Sequence, residues 1–313
     1  MLMAFNIFLL IVGFVLLIKG ADFFVDGSSS VAKLIGIPGF VIGLTVVAMG
    51  TSAPEAAVSV TASLQGSNAI ALGNIVGSNM FNLLVVAGFC AVMKPYKIEK
   101  VMLYRDFPIN IVLCALLLVL MLIGNSLGLI DGIILLVGIV SYVAFVVISA
   151  VKNRDTSSED VKTLSPFMSI LCIIGGLAAV IFGGQLVVDS ATFIAEELGW
   201  SETFIGLTIV AVGTSLPELV TSIVAARKGE SGLALGNVIG SDIFNILFIL
   251  GSASAISPIA VDPDAIVNVI ILLCVTSAVY IPCVIKKSIG RIVGFLCVLG
   301  YVGYTIYLLM TTI

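Results

Sequence analysis

Two copies of a six-residue motif carry the side chains in this sequence that are best suited to chemistry. The first copy is GTSAPE at 50–55 and the second is GTSLPE at 213–218, both inside long apolar stretches. Proline lacks a backbone donor and clashes with the carbonyl one turn earlier, and a glycine lies in the same turn. Each motif therefore predicts a helix that kinks or unwinds beside two hydroxyls and a carboxylate.

The oxygen atoms of these motifs predict a site for a hard cation. Carbonyls released around Ala48–Thr51 and Ala211–Thr214 would stand near Glu55 and Glu218, an all-oxygen set of the kind that Na⁺ and Ca²⁺ prefer. A charged Glu inside a membrane costs at least about 2.5–3.5 kcal/mol, and no Lys or Arg lies near either motif in the sequence, so a bound cation is the natural counter-charge. The alternative, a simple kink with a protonated Glu, does not explain why the whole pattern recurs.

A second repeated motif offers neutral oxygens to the same site. It reads GNIVGSNMFN at 73–82 and GNVIGSDIFN at 236–245. In each copy a serine and an asparagine are four residues apart, so they share a helix face, and the glycines permit close helix contact. Hydrogen bonding between helices without any ligand is the competing interpretation. The candidate ligands of this motif are Ser78, Asn82, Ser241 and Asn245.

A carboxylate at one position breaks the match between the two copies of the second motif. Asp242 stands where the first copy has Asn79. It is a further candidate for the ion site, either beside the ligands or on a water-filled entry path. Asp262 and Asp264 fall in a predicted outer loop, where solvation alone would explain them.

The composition predicts an all-α polytopic membrane protein. Of 313 residues, 60% are apolar and 10% charged, and the mean hydropathy is +1.27. A bilayer core needs about 20 apolar residues per helical span, and runs of this size fill the chain. The sequence predicts ten spans, near 3–32, 39–64, 69–93, 104–124, 128–151, 166–196, 203–226, 231–257, 265–285 and 290–312.

The positive charges predict the orientation of these spans. With ten spans, every Lys and Arg except Lys19 lies in an odd-numbered connection, and the even-numbered connections and both termini contain none. Positive charges favour the cytoplasmic side. Both termini are therefore predicted to lie on the outer side of a cell membrane, and the 152–165 linker is predicted to lie in the cytoplasm.

The two halves of the chain form an internal repeat. Both motif pairs are offset by 163 residues, which also aligns Ile42–Thr45 with Ile205–Thr208. A half with five spans has an odd number of crossings, so the second half enters the membrane inverted, as in many secondary transporters. The predicted organisation is a five-helix repeat at 1–151, the linker at 152–165 and an inverted five-helix repeat at 166–313, sharing one transmembrane domain.

Several other classes of function are disfavoured by the composition. The chain has no histidine, the commonest general base and transition-metal ligand, and its six cysteines are scattered without paired spacing. An intramembrane protease would need a Ser-His pair or a G-x-G-D motif, and a channel usually needs several subunits around a pore. Nothing indicates a cofactor, nucleic acid or an obligatory protein partner. The predicted partners are small cations and the lipid bilayer.

The paired G-T-S-x-P-E and G-N-x-x-G-S-x-x-x-N motifs and the five-plus-five inverted arrangement resemble the sodium/calcium exchanger family. The resemblance runs over essentially the whole chain and is to the short microbial members of the cation/calcium exchanger superfamily. It implies that Glu55 and Glu218 are central carboxylates shared by Ca²⁺ and Na⁺. It further implies that the surrounding sites use the carbonyls of Ala48 and Ala211 and the side chains of Thr51, Ser52, Thr214, Ser215, Ser78, Ser241 and Asn82.

The resemblance also bears on potassium and on mechanism. Asn245 occupies a position that is Asp in potassium-dependent exchangers and in some microbial relatives. An amide there favours potassium independence, although Asp242 keeps that question open. The predicted function is a secondary antiporter that exchanges Na⁺ for Ca²⁺ by alternating access. The alternatives are an H⁺/Ca²⁺ antiporter and a potassium-dependent Na⁺/Ca²⁺ antiporter on the same architecture.

Overall fold

The computed structural model describes residues 2–66, 68–124, 126–152, 163–199 and 211–312. In these ranges the chain is almost entirely helical, with four strands of two residues each. In chain order the elements are α1 (Leu2–Ile35), α2 (Gly39–Thr51), α3 (Ala53–Leu64), α4 (Ile70–Met93), β1 (Tyr96–Lys97), α5 (Met102–Gly124), β2 (Ser126–Leu127), α6 (Leu129–Lys152), α7 (Pro166–Glu197), α8 (Ala211–Gly213), α9 (Leu216–Lys228), α10 (Ser231–Ile256), β3 (Ile259–Ala260), α11 (Pro263–Lys286), β4 (Ser288–Ile289) and α12 (Arg291–Met310).

The lengths and compositions of these helices identify a multi-pass membrane protein. Within the described ranges, eight helices are long and apolar enough to cross a bilayer, and the pair α2–α3, bent by 48°, makes a possible ninth. The span predicted over 203–226 begins in residues outside those ranges, and its remainder forms α8 and most of α9. The count of ten therefore remains a prediction.

Two helices form the centre of the molecule. In α10, 94% of the span is buried and in α4, 78%, whereas the other six long helices are buried over 33% or less of their spans. Their exposed faces are rich in Leu, Ile, Val and Phe. These faces suit lipid, and the repeated G-N-x-x-G-S motifs lie on the two most buried of the long helices.

Small residues bring α1 and α7 into close contact along their length. A Cβ on Gly20 would lie 2.8 Å from the Val180 nitrogen, and one on Gly176 would lie 2.5 Å from the Phe24 nitrogen. Distances this short leave no room for a side chain, so the two backbones pack directly together. Gly13 and Gly27 on α1 make equivalent approaches one heptad away on either side.

A second close crossing joins α2 to α10. A Cβ on Gly43 would lie 2.6 Å from the Leu233 carbonyl oxygen, and one on Gly236 would lie 2.6 Å from the Phe40 carbonyl oxygen. Gly43 also begins a π-helical turn, Gly43–Val47, in α2. This crossing places the first broken helix directly against the central helix of the other half.

The four short strands join the halves at opposite ends of the helices. Strand β1 pairs antiparallel with β4, matching Tyr96 with Ile289, and β2 pairs antiparallel with β3, matching Leu127 with Ile259. The β1–β4 pair is flanked by Lys94, Lys100 and Lys286, whereas the connections that contain β2 and β3 carry no Lys or Arg in the sequence. The two sheets therefore separate a positively charged end from an end without basic residues.

Ion pairs join α1 to the end of α9 and to the connection between α9 and α10. The Lys228 ammonium lies 2.7 Å from an Asp26 carboxylate oxygen, and the Lys33 ammonium lies 2.9 Å from Glu230. The Ser29 hydroxyl also donates to Glu230 at 2.6 Å. Partial burial raises the pKa of the Glu230 carboxyl, but the bonds from Ser29 and Lys33 outweigh burial and hold that pKa below its ordinary value.

Candidate ion-binding site

Each motif glutamate lies in the first turn of a helix that follows a break. Ser52 separates α2 from α3 and Ser215 precedes α9, with a proline in the first turn of both following helices. Glu55 and Glu218 follow these prolines, and both are fully buried. The free N–H groups of a helix N-terminus favour negative charge, so the broken geometry places two carboxylates where the backbone stabilises them.

The carbonyl groups at the first break are partly bonded within the motif. The Ala48 carbonyl accepts from the Ser52 amide at 3.0 Å and lies 3.4 Å from Thr51 Oγ1. The single Thr51 hydroxyl proton has a nearer acceptor, the Asn237 side-chain oxygen at 3.0 Å. Pro54 removes the donor that a regular helix would offer to the Gly50 carbonyl. In the second half, Ala211 begins α8.

The two motifs are joined by hydroxyl groups that cross between the halves. Ser52 Oγ donates to Glu218 Oε1 at 2.9 Å, and Ser215 Oγ donates to Glu55 Oε1 at 3.0 Å. Each carboxylate is thus oriented by the motif of the other half. The arrangement holds one oxygen of each glutamate and leaves its second oxygen, Oε2, without a hydrogen-bond partner among the described residues.

The central helices add neutral groups to the pair of carboxylates. Ser78 Oγ, on α4, lies 3.3 Å from Glu55 Oε1 and 3.0 Å from Ser215 Oγ. In the other half, Thr51 donates to the Asn237 side-chain oxygen at 3.0 Å. Both G-N-x-x-G-S motifs therefore face the broken helices.

Amide groups continue this polar layer between α4 and α10. Asn82 Nδ2 donates to Asp242 Oδ1 at 3.3 Å, and Asn110 Nδ2 donates to Asp242 Oδ2 at 3.2 Å. Asn79 Nδ2 donates to the Asp242 backbone carbonyl at 3.1 Å and accepts, through its own side-chain oxygen, from Asn245 Nδ2 at 2.9 Å. Asn82 and Asn245 each begin a π-helical turn, a feature common at functional sites.

Several buried oxygens of the candidate site have no hydrogen-bond partner. Within the described ranges, six oxygens from residues of the two motif pairs are inaccessible and make no hydrogen bond. They are Glu55 Oε2, Glu218 Oε2, Asn82 Oδ1, Asn245 Oδ1, Thr214 Oγ1 and Ser241 Oγ. Leaving such groups unbonded is costly, and oxygen ligands are what hard cations take.

Glu55 and Glu218 are the carboxylates of the candidate site, and Asp242 adds a third to the polar layer. The part of the chain that the structure describes contains no group of three or more His, Cys, Asp or Glu side chains placed to hold a metal. The candidate ligand set combines two carboxylates with hydroxyl and amide oxygens.

A cavity of about 560 Å³ leads toward the polar layer. It is lined by Ser78 and Thr214 of the candidate site and by Asp262, Asp264 and Asn268 near the start of α11. Both aspartates are exposed. The cavity therefore connects the end of the molecule that carries β2 and β3 with the buried hydroxyls. The two aspartates line this cavity, a position that the sequence did not predict.

The structure brings most of the predicted ligands into one polar layer. Beyond those ligands, Asn74 donates to Ser59 and Asn237 donates to Ser222, each at 3.0 Å. These asparagines belong to the repeated G-N dipeptide, so their recurrence could have predicted a role. Asn110 lies outside both motifs, and no pattern in the sequence singled it out.

Buried carboxylates at broken helices in the middle of a polytopic bundle define the protein as an integral membrane transporter. The family model described as "Sodium/calcium exchanger protein" matches residues 5–151 and 168–310. A putative antiporter, CaxA of Alkalimonas amylolytica, is 40% identical and aligns with 96% of this chain and 98% of its own length. The sodium/calcium exchanger MaX1 of Methanosarcina acetivorans is 34% identical, over 82% of this chain and 84% of its own.

A solved structure agrees with these sequence relatives. The sodium-calcium exchanger NCX_Mj, soaked with zero Na⁺ and Ca²⁺, superposes with a TM-score of 0.86 at 32% identity, covering 97% of this chain and 98% of that one. The chain belongs to the sodium/calcium exchanger family. It is a transporter and not an enzyme.

Proposed function

We propose that this protein exchanges Na⁺ for Ca²⁺ across a cell membrane, without a requirement for K⁺. The observation that carries the proposal is the pair of buried glutamates whose Oε1 atoms are held by hydroxyls of the opposite half while their Oε2 atoms remain unbonded. Family membership supports cation exchange. Its relatives include a protein described as a sodium/calcium exchanger.

Charge explains why the two ions would exchange. Glu55 and Glu218 together supply about two negative charges, which one Ca²⁺ or two or more Na⁺ can neutralise. Because both kinds of ion would use the same carboxylates, they would compete for the site. An empty site with two uncompensated charges is too costly to occlude in the membrane, so only the loaded protein would change its access. This condition makes transport an obligatory exchange.

The proposed architecture is ten spans in two inverted repeats, 1–151 and 166–313, joined by the 152–165 linker. The strand pairs support it. The 163-residue offset carries β1 onto β3 and β2 onto β4, so it carries the β1–β4 sheet onto the β2–β3 sheet, with the paired residues matching to within one position. The crossed bonds Ser52–Glu218 and Ser215–Glu55 also support it, because the same offset carries one bond onto the other. Alternating access would move the site between an opening on each side.

The proposed orientation has both termini outside and the linker in the cytoplasm. The lysine-rich connections around β1 and β4 would face the cytoplasm. The cavity beside Asp262 and Asp264 would then open to the outside, so the structure would represent a state that exchanges ions with the external solution.

The neutral side chain at 245 supports independence from K⁺. Asn245 contributes an unbonded amide oxygen rather than a carboxylate, which limits the negative charge available for an additional monovalent ion. Asp242 does carry a carboxylate nearby, and a potassium requirement would point to that residue. Proton coupling is the other alternative, because two carboxylates can also carry protons.

The test is ⁴⁵Ca²⁺ uptake into proteoliposomes loaded with Na⁺, with K⁺, or with neither under an imposed pH gradient. The proposal predicts uptake that needs internal Na⁺, is unchanged by K⁺ and is lost in Glu55→Gln and Glu218→Gln. Glu196→Gln, an exposed carboxylate on α7, is the matched control and should transport normally. Uptake driven by the pH gradient in the absence of Na⁺ would refute sodium coupling and favour proton exchange.

A further inference from the structure

The side-chain amides of Asn82 and Asn245 can each adopt two orientations, and the orientation decides whether the amide can bind an ion. An amide can turn by 180°, which exchanges its carbonyl oxygen with its NH₂ group at almost no steric cost. Only the oxygen can bind a cation. Something must therefore hold both amides with their oxygens directed into the site.

One of these orientations is fixed through the carboxylate of Asp242. In its ionised form the Asp242 carboxylate can only accept hydrogen bonds, and Asn82, 3.3 Å from Asp242 Oδ1, then presents its NH₂ group to it. The Asn82 oxygen then points away, and it is one of the buried oxygens without a partner. The second carboxylate oxygen is occupied by Asn110 at 3.2 Å, which fixes the Asp242 side chain itself.

The other orientation is fixed through the backbone of the same residue. A backbone carbonyl can only accept, so Asn79 must present its NH₂ group to the Asp242 carbonyl at 3.1 Å. The Asn79 oxygen therefore lies on the opposite side and must accept, which obliges Asn245 to donate its NH₂ group at 2.9 Å. The Asn245 oxygen is then also directed away and unbonded within the described residues.

We propose that Asp242 is a positioning residue that sets both site amides, Asn82 through its carboxylate and Asn245 through its backbone carbonyl and Asn79. The proposal rests on the proposed function, because it concerns the ion site of the exchanger. This role is distinct from direct coordination of an ion, because it acts through the amide donors that the two carboxylate oxygens receive. Asp242 and Asn79 occupy the position at which the two motif copies differ. Asp242 of the second half thereby orients Asn82 of the first, and Asn79 of the first half orients Asn245 of the second.

The first test separates orientation from charge. In Asp242→Asn the new amide keeps an oxygen for Asn82, and Asn110 can turn to accept its NH₂ group, so equilibrium ⁴⁵Ca²⁺ binding to the purified protein should weaken by less than about 3-fold. In Asp242→Leu the Asn82 NH₂ group has no acceptor, and binding should weaken by about 5- to 150-fold, the range expected for one buried donor left unpaired. Equal losses in both variants would show that the charge of Asp242 matters and would overturn the proposal.

The second test uses double substitutions, because an alanine at 82 or 245 has no amide to orient. In an Asn82→Ala background, Asp242→Leu should change the remaining Ca²⁺ binding by less than about 3-fold, whereas in an Asn245→Ala background it should keep its full effect. Asn79→Leu should behave in the opposite way, with its effect cancelled by Asn245→Ala and retained in Asn82→Ala. A general structural defect would persist in both backgrounds, and that result would also overturn the proposal.

Folding and function are checked separately. Each variant is compared with the wild type for its melting temperature and its elution as a single species, and the Asn79→Leu arm tests the proposal even if Asp242→Leu does not fold. If the wild-type protein binds no Ca²⁺ that Na⁺ displaces, the proposed function fails. If the wild type binds and the variants do not follow the crossed pattern, only the positioning role fails.

Discussion

The hydroxyls that cross between the halves should tune the affinity for Ca²⁺ without being indispensable. Removing Ser52 Oγ takes away a 2.9 Å bond to Glu218, and removing Ser215 Oγ takes away a 3.0 Å bond to Glu55. Hydrogen bonds to charged groups contribute about 1.5–3 kcal/mol, but the ion would replace part of that by binding the carboxylate directly. What remains is the ordering of a glutamate side chain, for which about 1–2 kcal/mol is a reasonable value.

This magnitude predicts that Ser52→Ala and Ser215→Ala each raise the Ca²⁺ concentration for half-maximal Na⁺-dependent uptake by about 5- to 30-fold. The maximal rate should change much less. Ser254→Ala is the control, because this buried serine bonds only the carbonyls of Leu250 and Gly251 in the described structure. If Ser52→Ala and Ser215→Ala behave like the control, the crossed hydroxyls do not orient the carboxylates and the reasoning is wrong.

Three further predictions concern the ends and the packing of the bundle. Hydrogen bonds and an ion pair hold the pKa of Glu230 below its ordinary value, so Glu230 stabilises the fold above its unfolded pKa of about 4.3, and this stabilisation is lost as the pH falls through the folded pKa. Glu230→Gln should therefore lower the free energy of unfolding by about 0.5–1 kcal/mol at pH 7. Thermal unfolding of the two proteins should show this difference shrinking below about pH 4. Gly43→Ala places a methyl group 2.6 Å from the Leu233 carbonyl oxygen, so it should reduce the free energy of unfolding by about 1–3 kcal/mol and lower the melting temperature. Gly175→Ala is the control, because a Cβ there has no atom of another element within 4 Å, and it should leave the melting temperature unchanged. Asp262→Asn combined with Asp264→Asn should slow Ca²⁺ uptake by about 2- to 5-fold at low ionic strength and have little effect at high salt. The reason is that negative charges at the cavity entrance raise the local concentration of cations. A slowing that does not depend on salt would argue against entry of Ca²⁺ through this cavity.

The fold could be predicted from the sequence to the extent that hydrophobic length determines it. Nine of the predicted spans correspond to described helices or to the bent pair α2–α3, because about 20 apolar residues can hardly form anything else in a bilayer. The π-helical turns, such as those beginning at Asn82 and Asn245, could not be predicted. They depend on packing between helices, and no local pattern specifies them.

The part of the candidate site that belongs to the repeated motifs could be predicted from the sequence. Glu55 and Glu218 recur with their Ser and Pro neighbours, and the structure places both motifs in contact. Hydrogen bonds across the halves could not be predicted, because the sequence does not say which face of α4 meets which face of α10. Asn110 illustrates the limit, since one asparagine in an apolar helix has no partner in the sequence and acquires its role only beside Asp242.

The central claim is that one site, built on both glutamates, is shared by the exchanged ions. Equilibrium binding of ⁴⁵Ca²⁺ to the purified protein, measured over a series of Na⁺ concentrations, tests it most directly. The account predicts that Na⁺ displaces Ca²⁺ completely and competitively, that K⁺ does not, and that both Glu55→Gln and Glu218→Gln abolish high-affinity binding. Ca²⁺ binding that survives either substitution, or that saturating Na⁺ leaves unchanged, would contradict it.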